Sequence, residues 1–251
     1  MLANIVPTPL HAARTWHMIL LRLFEITVAT MALLVLLPLM LVVSLAILVE
    51  SGRPILFRQQ RLGQHGRPFL ILKFKKFRDA KDGSGPHLTS LGDERMTWVG
   101  AILQRTKLDE TPQFINVLAG DMGIVGPRPE SLRFAECFNG HYRDVLRHKP
   151  GIFGPNQVLF RHEDALLAGR SNVEEYYLRI LFPLKASVDL LYFSGRTVAS
   201  DLRLLFSAVM VICGGRSRTE HLILGGPPRG IGPTLAPVSL QTANVDLPLK
   251  V

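Results

Sequence analysis

Hydropathy divides the chain into one long apolar stretch and a mixed remainder. Residues 26–49 run 24 positions without a charge, and only Thr27, Thr30, Pro38 and Ser44 fall outside Ala, Val, Ile, Leu and Met. A run of that length predicts a membrane-inserted helix, not a buried core helix or the short apolar region of a signal peptide. Straight, it would measure about 36 Å, enough for a hydrocarbon core of about 30 Å. Pro38 sits at its middle, where it removes a backbone hydrogen bond and bends the helix. Arg14 and Arg22 precede the stretch, and nine Lys and Arg follow between 53 and 81 against Asp79 as the lone acid. Lys and Arg favour the cytoplasmic face, so a re-entrant hairpin that enters and leaves from one side fits better than a plain span.

Past the apolar stretch, shorter patterns predict a compact mixed domain. Residues 55–59 and 69–74 are apolar-aromatic runs around Gly63-Gln64-His65-Gly66-Arg67-Pro68, which predicts a hairpin with a long turn. Residues 79–95, rich in Gly, Asp, Ser and Pro, read as an exposed loop. Residues 97–105 have helical spacing, and Leu108-Asp109-Glu110-Thr111-Pro112 has the form of a helix start with an acidic cap and an early proline. That helix runs to Gly120, a short strand follows at 122–125, and Gly126-Pro127-Arg128-Pro129 is a rigid turn. Residues 131–147, 173–181 and 198–212 read as helices, with a second turn cluster at 150–155. The last of these helices is amphipathic and suited to packing on the domain or lying in the membrane interface. From 214 onward Gly, Pro, Ser and Thr dominate, as in a mobile tail. The fold expected is α+β and mainly helical, divided into 1–25 (N-terminal tail and interfacial helix), 26–49 (re-entrant membrane helix), 50–213 (cytosolic domain) and 214–251 (tail).

Composition narrows the classes. In 251 residues, 47% are hydrophobic while Lys and Arg outnumber Asp and Glu by 29 to 20, a net charge of +9. Basic soluble proteins are seldom this apolar, which again points to a membrane surface. Cys137 and Cys213 are too few for a disulfide scaffold or a four-ligand zinc site and suit a reducing compartment. No dinucleotide-binding, Walker, HExxH, GxSxG or paired CxxC pattern occurs, and the eight histidines are scattered.

The remaining chemistry lies in acids among cations. Asp109 and Glu110, adjacent on a helix, point about 100° apart and serve different partners. They read either as a cap with a favourable charge at the helix dipole, or as a nucleophile or magnesium ligand where backbone N–H groups receive a phosphate. Arg128, between two prolines, is either a surface turn or a guanidinium held at fixed reach for phosphate. The run Lys73-Phe74-Lys75-Lys76-Phe77-Arg78 allows a solvated edge, nucleic-acid binding or contact with lipid headgroups and lipid phosphates, and its closeness to the membrane segment favours the last.

Taken in order, these residues resemble a known family. The set is the apolar segment with its central proline, then Ser51-Gly52-Arg53-Pro54-Ile55-Leu56-Phe57-Arg58-Gln59-Gln60-Arg61-Leu62-Gly63, Lys73-Phe74, Leu108-Asp109-Glu110-Thr111-Pro112-Gln113-Phe114-Ile115-Asn116-Val117-Leu118, Gly120-Asp121-Met122-Gly123-Ile124-Val125-Gly126-Pro127-Arg128-Pro129, and Pro150-Gly151-Ile152 to Gln157-Val158. Over roughly residues 20–212 the chain resembles the bacterial sugar transferases, the monotopic phosphoglycosyl transferases, in their small form. The resemblance implies transfer of a sugar-1-phosphate from a UDP-sugar to undecaprenyl phosphate with release of UMP, a membrane step of exopolysaccharide, capsule or O-antigen synthesis. It implies a catalytic domain on the cytoplasmic face of the bacterial inner membrane, in contact with membrane lipid. It also implies a ping-pong cycle in which Asp109 forms a phosphosugar intermediate. Mg²⁺ would be held by Asp109 and Glu110, and substrate and phosphate would be met by Lys73, Arg128, Arg105 and Gln113. Gln113, with Asn116 one turn on, would brace the dyad.

The chain departs from the family pattern at three places. Lys75-Lys76-Phe77 replaces the usual Arg-Thr/Ser-Met, Gln104 stands where an Arg is common with Arg105 beside it, and Phe153 replaces a Thr. The rival reading is a non-catalytic membrane-anchored scaffold or binding subunit. Nucleic acid is not expected as a partner, because the positive charge sits beside a membrane segment without a recognition module. The sugar, the pathway and homo-oligomerisation are left open by the sequence.

Overall fold

The computed structural model describes residues 9–78, 95–160, 163–167 and 172–212. The proposed tail at 214–251 and nearly all of the loop at 79–95 lie outside the described residues.

The apolar stretch forms part of one continuous helix, α1 (Pro9–Ser51), with Pro38 inside it. Its polar side chains turn back on the helix: Thr27 Oγ1 donates to Leu23 O, Ser44 Oγ to Met40 O and Ser51 Oγ to Ile47 O. Such back-bonding satisfies a hydroxyl where lipid offers no partner. One face packs on the domain through Ala29, Val43 and Ile47, while Leu34, Val35, Leu41, Val42, Leu45 and Val49 on the rest of its surface are exposed. The helix stops at Gly52, whose φ of +69° is open to glycine without strain.

β1 (Leu56–Leu62) and β2 (Pro68–Phe74) pair antiparallel with Leu56 opposite Phe74 and Leu62 opposite Pro68, the hairpin expected. α2 (Trp98–Thr106) starts at Thr97, whose Oγ1 accepts from Gly100 N. α3 (Gln113–Ala119) follows, ended by Gly120 at φ +95°. β3 (Gly123–Val125) then pairs parallel with β4 (Gly151–Phe153). The C-terminal helices are α4 (Pro155–Leu159), α5 (Glu163–Leu167), α6 (Val173–Tyr176), α7 (Phe182–Ser194) and α8 (Val198–Ile212), with a π-helical turn (Tyr177–Leu181) linking α6 to α7. The result is mainly helical with short strands.

The main core joins Ala29 of α1, Ile71 of β2, Val117 of α3, Ile124 and Ile152 of the parallel pair, and Phe193 and Leu204 of α7 and α8. A second cluster gathers Phe134, Val145, Tyr177, Leu181 and Phe182, and a third joins Val43 and Ile47 to Phe74 and Leu103. Three local expectations change. The helix expected at 131–147 is instead two 3-10 stretches (Leu132–Cys137 and Gly140–Arg147), broken at Asn139-Gly140 where Gly140 takes φ +51°. The turn cluster at 150–155 contains β4, which gains its ladder from β3, a partner 28 residues away in register. The helix Phe182–Ser194 continues the stretch read as helical at 173–181 without a break, and Pro183 stands where the π-helical turn passes into it.

Candidate active site

Two segments meet where α2 hands over to α3. Lys107 ends α2 in the left-handed region (φ +61°), reversing the chain into a single 3-10 turn (Leu108–Glu110) that carries both carboxylates. Pro112 caps α3 directly after it. Asn116, on α3, fixes this unit to the hairpin: its Nδ2 donates to Leu70 O at 2.7 Å and its Oδ1 accepts from Leu72 N at 3.0 Å. The amide thus imitates a neighbouring strand along the free edge of β2, and it holds Lys73 in register with the dyad. Gln113 is buried at the first position of α3. Asn116 thus ties α3 to the hairpin, not directly to the dyad turn.

The two carboxylates have different surroundings. Glu110 Oε1 accepts from Lys73 Nζ at 2.7 Å and from Arg128 Nη2 at 3.3 Å. Burial alone would raise its pKa, but Lys73 and Arg128 outweigh burial and hold the carboxyl well below its usual range. Glu110 in turn raises the Arg128 guanidinium against its own burial. Burial lowers the Lys73 ammonium, with Glu110 opposing. Asp109 is 2% exposed, and its Oδ2 lies 3.0 Å from Lys76 Nζ. Among the described residues its Oδ1 has no hydrogen-bond partner. A buried acceptor left unmade costs about 1–3 kcal/mol.

A cavity of about 370 Å³ opens beside the dyad. Lys107, Glu110 and Arg128 give it a charged end, Asn156, Gln157 and Glu163 a polar wall, and Phe114, Ile152, Phe153 and Phe160 an apolar one. Leu36 of α1, two residues before Pro38, also lines it, so the long apolar helix borders the site. Asp109 is not among the lining residues.

Of the residues singled out in the sequence, Lys73, Asp109, Glu110 and Arg128 come together. Arg105 does not: it is exposed on the last turn of α2 and forms no ion pair with either carboxylate. Lys76 was missed as a site residue. Strand alternation would put residues 73 and 76 on opposite faces, but β2 ends at Phe74, and beyond it the chain turns Lys76 back toward Asp109. A second buried cluster, outside the residues singled out, adjoins the cavity wall. Lys185 Nζ reaches Glu130 Oε1 at 3.1 Å, Glu163 Oε2 at 3.2 Å and the Tyr177 hydroxyl at 3.3 Å. Asn156 Nδ2 donates to Asp189 Oδ2 at 2.7 Å close by.

With this arrangement in view, the family model described as bacterial sugar transferase matches residues 16–215. The chain belongs to the bacterial sugar transferase family. It is 33% identical, over 78% of its length, to the UDP-N-acetylgalactosamine-undecaprenyl-phosphate N-acetylgalactosaminephosphotransferase of Aeromonas hydrophila, covering 46% of that protein. It is 34% identical over 77% of its length to the UDP-glucose:undecaprenyl-phosphate glucose-1-phosphate transferase of Klebsiella pneumoniae, covering 40% of it. The exopolysaccharide production protein PSS of Rhizobium leguminosarum bv. phaseoli is 33% identical over 77% of the chain and is covered over 94% of its length. The chain thus spans less than half the length of the first two relatives. In this family member the dyad, its cations and the cavity stand in one place.

Proposed function

We propose that this sugar transferase moves a sugar-1-phosphate from a UDP-sugar to undecaprenyl phosphate and releases UMP, in polysaccharide synthesis. The observation that carries the reading is the charge of the site: among the described residues Lys73, Lys76 and Arg128 pair with Asp109 and Glu110, three paired cations for two carboxylates, and Lys107 adds positive charge at the same end of the cavity. A site with surplus positive charge receives a diphosphate, and phosphoryl transfer needs mainly positioning and charge neutralisation.

Division of labour follows from the partners. Glu110 Oε1 is shared by Lys73 and Arg128, so its role is to hold those two cations in place for phosphate. Asp109 keeps one carboxylate oxygen uncommitted, which suits a nucleophile. Asp109 attacks the β-phosphorus, and the bond from that phosphorus to the oxygen bridging to the α-phosphate breaks, its electron pair leaving with UMP. An oxygen of undecaprenyl phosphate then attacks the phosphosugar-aspartyl phosphorus, and the aspartyl oxygen departs as carboxylate. With Oδ1 buried, the attack requires Asp109 to turn toward the cavity. Mg²⁺ fits the donor set, because it is bound through one or two carboxylates together with substrate phosphate oxygens. Among the described residues no group of three or more His, Cys, Asp or Glu gathers, so Asp109, with Glu110 beside it, would be the protein's contact to the ion. Bound there, it would neutralise diphosphate charge.

The membrane arrangement we infer is monotopic. Arg22 near the start of the apolar stretch donates to Val117 O and Leu118 O of α3, and Glu50 at its end accepts from Trp98 N and Val99 N of α2. Both flanks therefore dock on the same domain. That supports a helix entering and leaving from the cytoplasmic face of the inner membrane and bending at Pro38. Leu202, Phe206 and Val209, exposed along α8, suit a helix lying in the interface.

The test is UMP release by the purified protein with Mg²⁺, undecaprenyl phosphate and a panel of UDP-sugars, with Asp109→Asn alongside. We expect release with at least one donor and a loss of about a thousandfold or more in the variant. Release that survives Asp109→Asn would remove the covalent role. No release with any nucleotide-sugar would favour a binding subunit.

A further inference from the structure

Lys76 is the cation of the site whose position is the most constructed. Its carbonyl accepts from both Thr97 N and Thr97 Oγ1, each at 3.0 Å. A Cβ on Gly100 would stand 2.1 Å from that same carbonyl oxygen, so only glycine there lets α2 approach so closely. Phe77, the next residue, forms an isolated bridge with Met96. The backbone of Lys76 is thus clamped to the N-terminus of α2, and its side chain, 19% exposed, reaches Asp109 Oδ2. Lys73 and Arg128 bond Glu110, and among the described residues Lys76 is the cation in salt-bridge contact with Asp109, with Lys73 acting on it from farther off.

We propose that Lys76 is the resident counter-cation of Asp109 and competes with a divalent cation for that carboxylate, so that the metal joins the site together with the diphosphate of the donor. The proposal rests on the reading of Asp109 as the reactive carboxylate. An ammonium 3.0 Å from Oδ2 engages one carboxylate oxygen and offsets its charge, and it repels a second cation brought to the same group. A diphosphate reverses the balance. Its oxygens offer Lys76 a stronger partner, and the four-carbon stem is flexible enough to reach them from a fixed backbone. Asp109 is then released as Lys76 transfers to phosphate, and the charge that had held the carboxylate stabilises the group it attacks. No covalent bond changes in this exchange.

The experiment reads metal binding, not turnover. Mn²⁺, as a paramagnetic stand-in for Mg²⁺, is titrated by EPR into the full chain in detergent without donor. Removing a charge-assisted contact worth about 1.5–3 kcal/mol lets Lys76→Met bind Mn²⁺ roughly tenfold tighter or more than wild type. Lys76→Arg stays near wild type, and the gain vanishes in Lys76→Met/Asp109→Asn. Saturating UDP brings wild type and Lys76→Met together, because the diphosphate draws Lys76 away in the one and meets an already free Asp109 in the other. Should Lys76→Met fold poorly, Lys76→Gln makes the same comparison. Equal Mn²⁺ affinity in wild type and the neutral variant overturns the proposal, as does a gain that survives Asp109→Asn. Since no turnover enters, absence of UMP release with every donor would count against the reaction alone.

Discussion

Two buried ion clusters lie a few side chains apart in this protein, and their charge balance is opposite. Around the dyad, Lys73, Lys76 and Arg128 face Asp109 and Glu110. In the neighbouring cluster Lys185 is, among the described residues, the cation paired with Glu130 and Glu163, Arg61 and Arg128 act on them from farther off, and Asp189 is held by Asn156 beside them. The first has positive charge to spare, so a polyanion completes it. The second is short of positive charge and meets most of the deficit within the cluster, leaving Asp189 Oδ1 and Asn156 Oδ1 buried without a hydrogen-bond partner among the described residues. Lys185 and the Tyr177 hydroxyl hold Glu130 below its usual pKa despite burial, while burial raises Asp189 well above its own, with Lys185 opposing. Surplus marks a place where a ligand is awaited; deficit met by hydrogen bonds within the cluster marks a structural knot.

If that contrast holds, the largest effect on stability comes from the knot. Lys185→Met leaves Glu130 and Glu163 without their shared cation. Breaking a buried pair from one side costs about 3–5 kcal/mol, on the order of 10 °C in Tm for a chain of this size. Thermal unfolding in detergent measures it. A variant of unchanged Tm that lost UMP release selectively would move Lys185 into the catalytic machinery.

Glu110→Gln should show the reverse profile. Loss of the carboxylate frees Lys73 and Arg128 from their common anchor, so UMP release should fall about a hundredfold while Tm moves less than in Lys185→Met. The sign with pH follows from the depressed pKa of Glu110. Its contribution is full above the unfolded carboxyl value of about 4.3 and is lost as pH falls through the lower folded value. Wild type should therefore lose stability in strong acid faster than Glu110→Gln. Parallel acid limbs would mean that the Lys73 and Arg128 contacts are not formed in solution.

The two clusters also differ in how legible they are in the sequence. Lys73, Asp109, Glu110 and Arg128 stand in blocks whose local form is visible: a strand run, a capped helix start and a proline-stiffened turn. The apolar helix and the hairpin are periodic signals of the same kind. Lys76 could not be read, because its direction is set by where β2 ends and by Thr97 and Gly100 of α2, not by alternation. Glu130, Glu163 and Lys185 are single charges spread over 55 residues, brought together by helices that carry no shared motif. The parallel strand at Gly151–Phe153 was hidden for the same reason: three residues between turn glycines become a strand when a distant partner supplies the ladder.

The smallest effect would come from Asp189, and it carries the opposite sign to Glu110. A carboxyl whose folded pKa is raised binds its proton more tightly in the native chain than in the unfolded one. Stability from this group is therefore fully present below the unfolded value of about 3.9 and declines as pH rises toward the folded value, by at most about 1.4 kcal/mol per pH unit. Asp189→Asn removes the titration while keeping an acceptor for Asn156 Nδ2. Its Tm should stay close to wild type in mild acid and gain on it as pH rises toward neutrality. Guanidinium melts at a series of pH values would trace the difference. A wild-type chain that loses nothing relative to Asp189→Asn over that range would mean that Asp189 is ionised in the folded protein. The deficit at Lys185 would then be larger than hydrogen bonds alone can settle, and the second cluster would have to be counted as a site awaiting a cation, where the dyad awaits a polyanion.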